Sequence, residues 1–239
     1  MTNNNWKKIW NKREEYSLSK DIDESKIIDK LLALDGFDSP TGFINNKSWI
    51  DFIDYLKKEY GILTTDSIFE VGCGAGAFLY PFYLSSQSIG GIDYSQTLIN
   101  SCNKLMPNGR FTLNEAKNLN VEEKYDFVVS FSVFFYFPSY EYAELTLNNM
   151  YKKSRKGIMI LDIPNLLTQD ICEKNRRGVL SEKEYEKKYN NLNHLYYSKK
   201  FFINFAKKNH HKLYVIEDQK IDNYVNNDFR FNFVMLKSI

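Results

Sequence analysis

Cysteine is scarce in this sequence of 239 residues, and its three cysteines, Cys73, Cys102 and Cys172, are scattered along the chain. Small secreted domains that depend on disulfides carry dense, paired cysteines, so the sequence implies no disulfide framework and fits a reducing cytoplasm. The three histidines form no cluster with these cysteines, and neither C-x-x-C nor H-x-x-x-H spacing occurs. The sequence therefore predicts no metal site.

Long apolar runs and an excess of one charge are also missing. No hydrophobic stretch approaches the ~20 residues that a helix needs to cross a bilayer, and the first residues lack the apolar core of a signal peptide. The 32 basic and 30 acidic residues leave a net charge of +2, which argues against a large nucleic-acid interface. We therefore expect a cytoplasmic protein without membrane or nucleic-acid partners.

The order of the predicted elements indicates an α/β protein. Runs typical of buried strands alternate with runs of helical spacing, which predicts a mostly parallel sheet with helices on both faces. Three helices are expected before the first strand, at about 6–16, 24–34 and 47–60. They predict an N-terminal helical cap over residues 1–60, followed by a main domain over 61–239 that contains a long polar lid at 164–197.

Three closely spaced glycines follow the first predicted strand. Residues 67–71 are typical of a buried strand, and Gly72, Gly74 and Gly76 come next, before an apolar stretch of helical spacing. A strand that turns on glycines into a helix brings bare backbone N–H groups close to a ligand. Asp93 ends a second strand 17 residues after Gly76, where an acid can bind both hydroxyls of a ribose. Together they predict a pocket for an adenosine-containing cofactor.

One acid in the glycine loop bears on the identity of that cofactor. Gly72, Gly74 and Ala77 satisfy the G-x-G-x-x-G/A pattern of dinucleotide folds, in which pyrophosphate lies on the helix N-terminus. Glu70, however, stands two residues before the first glycine. A carboxylate near the pocket mouth would repel pyrophosphate and suits a cationic amino-acid cofactor better. A nicotinamide or flavin enzyme and a glycine turn that serves only packing are the alternatives.

This loop resembles the first motif of the class I S-adenosylmethionine-dependent methyltransferases. The resemblance continues at 111–116, 125–132, 156–162 and 231–237, which look like the third, fourth, fifth and last strands of that family. It covers roughly residues 60–239, so the main domain is expected to be the methyltransferase domain. It implies a Rossmann-like sheet of seven mostly parallel strands with an antiparallel last strand, and S-adenosylmethionine as the cofactor.

The resemblance also implies a set of cofactor-binding residues, which we expect beyond the carboxyl ends of the strands. In the family, the glycine loop packs on the methionyl and adenosyl parts, one acid binds the ribose, and another meets the adenine amino group. The matching residues here are Glu70, Gly72, Cys73, Gly74, Gly76, Asp93, Tyr94, Glu115, Ala116, Ser130 and Phe131. Asn114 is an alternative to Glu115. Trp10 and Arg13 are added because N-terminal helices of related enzymes close over the cofactor; packing on the cap is the alternative.

Candidate catalytic groups are few. Methyl transfer from a sulfonium releases a neutral thioether and needs no acid, so alignment of the reactants is the main task of the protein. His194 is the only histidine in the predicted lid and is a candidate base, with a structural histidine as the alternative. Asp162, at the end of the fifth predicted strand, is a candidate base or a residue that orients the acceptor; a turn-capping acid is the alternative.

Three functions remain open on the sequence alone. The first is methyl transfer to O or N of a small soluble acceptor, such as a sugar, a nucleotide-linked compound or a surface-polysaccharide intermediate. The second is methylation of RNA or protein, and the third is a regulatory protein that binds the cofactor without catalysis. The sequence is compatible with a monomer or a homodimer.

Overall fold

The computed structural model describes residues 5–13, 15, 26–39, 42–178, 181–189, 192, 194–210 and 213–237. Parts of three sequence predictions lie outside these residues. They are the end of the first predicted helix at Tyr16, the start of the second at Glu24, and lid positions 179, 180, 190, 191 and 193.

Seven strands of the described chain form one sheet in the order β3-β2-β1-β4-β5-β7-β6. The strands are β1 (Ile68–Val71), β2 (Ile89–Asp93), β3 (Arg110–Leu113), β4 (Tyr125–Phe131), β5 (Ser154–Pro164), β6 (Tyr214–Asp218) and β7 (Arg230–Leu236). Strands β1 to β5 are parallel, and β7 runs antiparallel between β5 and β6. The predicted fold class is confirmed.

Helices surround this sheet in the described part of the chain. They are α1 (Asn5–Trp10), α2 (Ile27–Leu34), α3 (Asn46–Glu59), α4 (Tyr80–Leu84), α5 (Gln96–Leu105), α6 (Tyr140–Lys153), α7 (Gln169–Gly178), α8 (Glu182–Tyr189) and α9 (Lys199–Lys208). None of the helices in the ranges above is long and apolar enough to span a bilayer.

The core has two layers because successive strand residues point to opposite faces. On β4, Val129 packs in the cluster that contains Trp49 of α3. Its neighbour Val128 packs in the other cluster, with Leu147 of α6 and Phe202 of α9. Both faces of the sheet are therefore covered, as the alternation of elements predicts.

Side-chain caps and one strand irregularity set the ends of key elements. The Ser95 hydroxyl accepts a hydrogen bond from Leu98 N and caps α5. Strand β5 runs past its predicted end at Asp162 because β7 continues to pair with it beyond an irregularity between Ile160 and Ile163. That irregularity brings the start of β7 alongside the site described next.

Candidate functional site

A cavity of about 570 Å³ lies at the carboxyl ends of β1, β2 and β4, under the N-terminal segment. Most of the predicted cofactor residues line it: Trp10, Arg13, Glu70, Gly72, Cys73, Gly74, Asp93, Tyr94, Glu115, Ala116 and Phe131. Gly76 and Ser130 do not line it, so their binding role stays a prediction. Gly76 faces Met106, and the buried Ser130 hydroxyl donates to Val71 O over 2.9 Å, so both lie behind the wall and support it.

The glycine loop needs its glycines for two reasons. Gly72 has φ of +75° and Gly74 has φ of +52°, in the left-handed region that disfavours other residues. A Cβ atom at Gly72 would lie 2.5 Å from Val133 Cγ2, and one at Gly74 would overlap the Asp35 carboxylate. The loop is therefore packed against neighbours that only a glycine backbone tolerates.

Asp35, at the end of α2, is a site residue that the sequence analysis missed. Its Oδ1 accepts a hydrogen bond of 2.6 Å from Ala75 N, and its Oδ2 accepts one of 3.1 Å from Ala77 N. The sequence signal was slight, since this acid stands in a turn-rich segment 40 residues from Ala75. It ties the N-terminal cap to the glycine loop.

Three carboxyl groups make one half of the cavity acidic, and we call Asp35, Glu70 and Asp93 the acidic wall. Glu70 is 3% exposed, and its Oε2 has no hydrogen-bond partner among the described residues. Burial, with Asp35 and Asp93 nearby, raises the pKa of Glu70 well above its usual value. Burial likewise raises the pKa of Asp35 to about 7 and that of Asp93 to about 6. Such a wall favours a cationic ligand.

Asp93 is held in place by the glycine loop and by the start of α5. Gly74 N donates to its Oδ2 over 3.1 Å, and Ser95 N donates to its Oδ1 over 2.8 Å. A carboxylate oxygen can accept two hydrogen bonds, so both oxygens of Asp93 can still accept one from a ligand in the cavity. This geometry suits an acid that binds a pair of hydroxyls.

Helix α1 lies over the cavity and reaches the predicted adenine acid. Lys7 Nζ is 2.8 Å from Glu115 Oε1, and the Tyr142 hydroxyl donates to Oε2 over 3.1 Å. Trp10 O accepts a hydrogen bond from the Ser95 hydroxyl, and the Trp10 ring meets that of Tyr136 edge-on at 5.5 Å. Trp10 thus packs and lines the cavity at once.

His194 lies at the other half of the cavity, stacked on Trp6 at 4.8 Å. Its Nδ1 lies 2.8 Å from Arg176 Nη1. A guanidinium only donates, so Nδ1 accepts and we assign the proton to Nε2. Burial, Arg176 and Arg230 hold the pKa of His194 well below its usual value. The geometry favours the structural alternative over a general base.

Asp162 lies behind the cavity wall. Its Oδ2 accepts hydrogen bonds from the Ser132 hydroxyl at 2.7 Å and the Tyr224 hydroxyl at 3.1 Å. Ser132 and Tyr224 themselves line the cavity. Asp162 is 1% exposed and is not among the lining residues, so Ser132 and Tyr224 separate its carboxylate from the cavity. This position favours a positioning role over that of a base.

Arg230, the first residue of β7, is a second site residue that the sequence analysis missed. It is buried, lines the same half of the cavity as His194, and lies over the Phe135 ring at 4.8 Å. The local sequence does not identify Arg230 as a site residue, because its place at the cavity follows from the pairing of β7 with β5, in which Arg230 lies opposite Pro164.

In the ranges that the structure covers, no cluster of His, Cys, Asp and Glu suited to a metal ion occurs.

Comparisons with known proteins agree with this geometry. The family model described as "Methyltransferase domain" matches residues 68–157. A viral protein named "Putative methyltransferase 235L", from Invertebrate iridescent virus 6, is 29% identical over 110 residues. That match spans 44% of this chain and 39% of the viral protein, well under two thirds of its length.

Two solved methyltransferases share the fold over nearly the whole chain. Magnesium protoporphyrin IX methyltransferase from Synechocystis PCC 6803, with bound S-adenosylhomocysteine, aligns with a TM-score of 0.62 and 13% identity over 98% of this chain and 93% of its own. The plantazolicin methyltransferase BpumL aligns with a TM-score of 0.64 and 18% identity over 99% and 96%. Residues 68–157 thus match a methyltransferase domain, and the chain shares the fold of solved methyltransferases that hold S-adenosylhomocysteine, in agreement with the family that its sequence resembles.

Proposed function

We propose that this protein transfers a methyl group from S-adenosylmethionine to an O or N atom of a small acceptor. The observation that carries the proposal is the acidic wall beside the glycine loop, in which Glu70 Oε2 has no hydrogen-bond partner within the described part of the chain. S-adenosylmethionine carries a sulfonium and an ammonium against one carboxylate, so its net charge is positive. A buried carboxyl group without a partner is costly, and a cationic ligand offsets that cost.

The residues present fit the parts of this cofactor. Asp93 accepts from the ribose hydroxyls, and Glu115, with Ala116, borders the adenine. Arg13 binds the methionyl carboxylate. The acidic wall, whose three carboxyl groups come from the ends of α2, β1 and β2, stabilises the cationic groups of the cofactor. Neighbours of the same fold hold S-adenosylmethionine or S-adenosylhomocysteine, which supports this assignment.

When bound, the cofactor supplies an electrophilic methyl group on a positively charged sulfur. The protein holds the acceptor in line with it and keeps water out. Aromatic side chains enclose the cavity above the glycine loop, among them Trp6, Phe131, Phe135 and Tyr136. Positioning of this kind can contribute roughly 7–11 kcal/mol to the barrier reduction. His194, which Arg176 holds through Nδ1, borders the acceptor and helps to orient it.

The activity test uses S-adenosylmethionine with an isotopic label on the methyl group and a panel of small acceptors that carry a hydroxyl or an amine. We expect label in at least one acceptor, and loss of that product in Asp93→Ala. Cofactor binding with no transfer to any small acceptor, but transfer to RNA or to protein, would contradict the proposal.

A further inference from the structure

We infer that the acceptor half of the cavity binds an anionic oxygen group, a carboxylate or a phosphate, through the guanidinium of Arg230. The inference deepens the proposed function, on which it rests, because it names the chemical class of the acceptor. The acidic wall lines one half of the cavity, whereas the basic residues Arg176 and Arg230 line the other half.

Arg230 is a buried cation with unused donors. The residue is 7% exposed, and its Nε has no hydrogen-bond partner among the residues of the described ranges. The nearest acid is Asp162, whose Oδ1 lies 3.8 Å from Nε, beyond hydrogen-bond distance. A guanidinium carries five N–H donors, and a buried charge is stable only when paired and hydrogen-bonded.

Asp162 does not meet that need, because other donors already hold its carboxylate. Ser132 and Tyr224 donate to Oδ2, and Gln219 Nε2 lies 3.4 Å from Oδ1. The charge of Asp162 therefore compensates Arg230 in part, while the hydrogen-bonding capacity of Arg230 remains available. Since Arg230 is on the cavity wall, a ligand can use it.

Further basic side chains lie near Arg230 on the cavity wall. Arg176 donates to His194 Nδ1, so a second guanidinium and an imidazole lie on the same part of the cavity wall. Phe135 covers the face of the Arg230 guanidinium, which leaves the edge of that group for a planar or tetrahedral oxyanion. Donors and positive charge thus converge in one half of the cavity, and carboxyl groups in the other.

This division separates the two ligands by charge. A net cationic cofactor is attracted to the acidic wall, and an anionic acceptor to Arg230. A site built to hydrogen-bond a charged group discriminates strongly against an analogue without it, because its buried donors are then left unpaired. We expect a neutral ester or amide of a true acceptor to lose ~100-fold or more in kcat/KM.

The test uses protein saturated with S-adenosylhomocysteine, with inorganic phosphate and acetate as separate probes in calorimetric titrations. We expect saturable binding of at least one anion to the wild type, at least tenfold weaker binding to Arg230→Gln, and partial retention in Arg230→Lys. The tighter anion tells a phosphate-bearing from a carboxylate-bearing acceptor. Arg155→Gln removes an exposed arginine near Asp126, at the other end of the sheet, and should bind like the wild type.

Two controls make the result decisive. Arg230→Gln leaves Asp162 without its cation, so the double variant Arg230→Gln/Asp162→Asn removes both charges together and keeps the fold testable by its melting temperature. Each sample is first titrated with S-adenosylhomocysteine. If no sample binds it, the proposed function fails. If all bind it and neither anion binds, or binding is the same in the folded Arg230 variants, the inference alone is overturned.

Discussion

Asp35 and Asp93 set the electrostatics of the cofactor half because loss of water raises the pKa of each, to about 7 and about 6. An acid whose pKa is raised by folding holds its proton longer in the native state than in the unfolded chain. These two groups therefore lower the free energy of unfolding as pH rises between about 4 and 7. A bound cationic ligand opposes this loss of stability, because it favours the ionised forms of Asp35 and Asp93 and so lowers their pKa values.

This charge balance predicts that discrimination between the two forms of the cofactor depends on pH. S-adenosylmethionine carries one positive charge more than S-adenosylhomocysteine, so its relative affinity should rise from pH 5.5 to pH 8 as Asp35 and Asp93 ionise. Calorimetric titrations of both compounds at each pH measure the ratio. Asp35→Asn should flatten the dependence, and a wild-type ratio that stays constant across this range would contradict the account.

The position of His194 predicts an unusual titration. With Nδ1 bound to Arg176 and two guanidinium groups nearby, which lower its pKa, the imidazole should stay neutral, with its proton on Nε2, at a pH where a free imidazole is protonated. Nitrogen-15 chemical shifts of the histidine rings report charge and tautomer, and His194→Gln assigns the signal. A charged ring at pH 6 would restore His194 as a candidate base.

At the scale of elements, α1 is held over the cavity more by its aromatic rings than by its ion pair. Lys7 and Glu115 have side chains that are 44% and 30% exposed, and pairs of this kind contribute ~0–1 kcal/mol. Trp6 and Trp10 both meet Tyr136 edge-on, and each such aromatic pair adds about 0.5–1.5 kcal/mol beyond the area that it buries.

The three tryptophans of the chain offer a direct test of that placement. All three border the cavity, but Trp6 and Trp10 lie in the N-terminal helix α1, whereas Trp49 of α3 is fully buried, with its indole N–H bonded to Ala77 O. Binding of S-adenosylhomocysteine should change tryptophan fluorescence, because its adenine enters beneath α1. Most of the change should be lost in Trp6→Phe/Trp10→Phe and kept in Trp49→Phe; the opposite pattern would place α1 elsewhere in solution.

The ends of β4 and β5 form a second local unit. Ser132 and Asp162, with φ of +56° and +58°, are joined by a hydrogen bond of 2.7 Å. Left-handed residues of this type store strain that their surroundings must hold. The unit positions Ser132, Tyr224 and Arg230 along one stretch of the cavity.

Asp162→Ala should therefore destabilise the protein strongly, by ~3–5 kcal/mol, because it removes both the charge that compensates the buried Arg230 and the acceptor of the Ser132 and Tyr224 hydroxyls. Asp162→Asn should cost clearly less, since asparagine tolerates the left-handed conformation and keeps an acceptor oxygen. Urea unfolding of the two variants measures the difference. Equal free energies of unfolding would show that the hydrogen bonds to Ser132 and Tyr224 do not organise this unit.

Across the whole molecule, the features that depend on a short stretch of sequence could be predicted. The strand–glycine–helix pattern around Gly72 and the acid at Asp93 are local, and they sufficed for the fold and for one half of the cavity. Contacts made by folding were not predictable. Asp35 reaches Ala75 from another element, and the alignment of Arg230 depends on an irregularity in β5. The cytoplasmic setting, the lid at 164–197 and the oligomeric state stay predictions.

The central claim is that one cavity binds S-adenosylmethionine and its product, with Asp93 on the ribose. A calorimetric titration with S-adenosylhomocysteine, repeated with NAD, tests it most directly, and Asp51→Ala on α3 serves as an exposed control. The account predicts saturable binding of S-adenosylhomocysteine and none of NAD, with a loss of ~1.5–3 kcal/mol, about 10- to 150-fold in affinity, in Asp93→Ala alone. Preference for NAD, or unchanged affinity in Asp93→Ala, would contradict it.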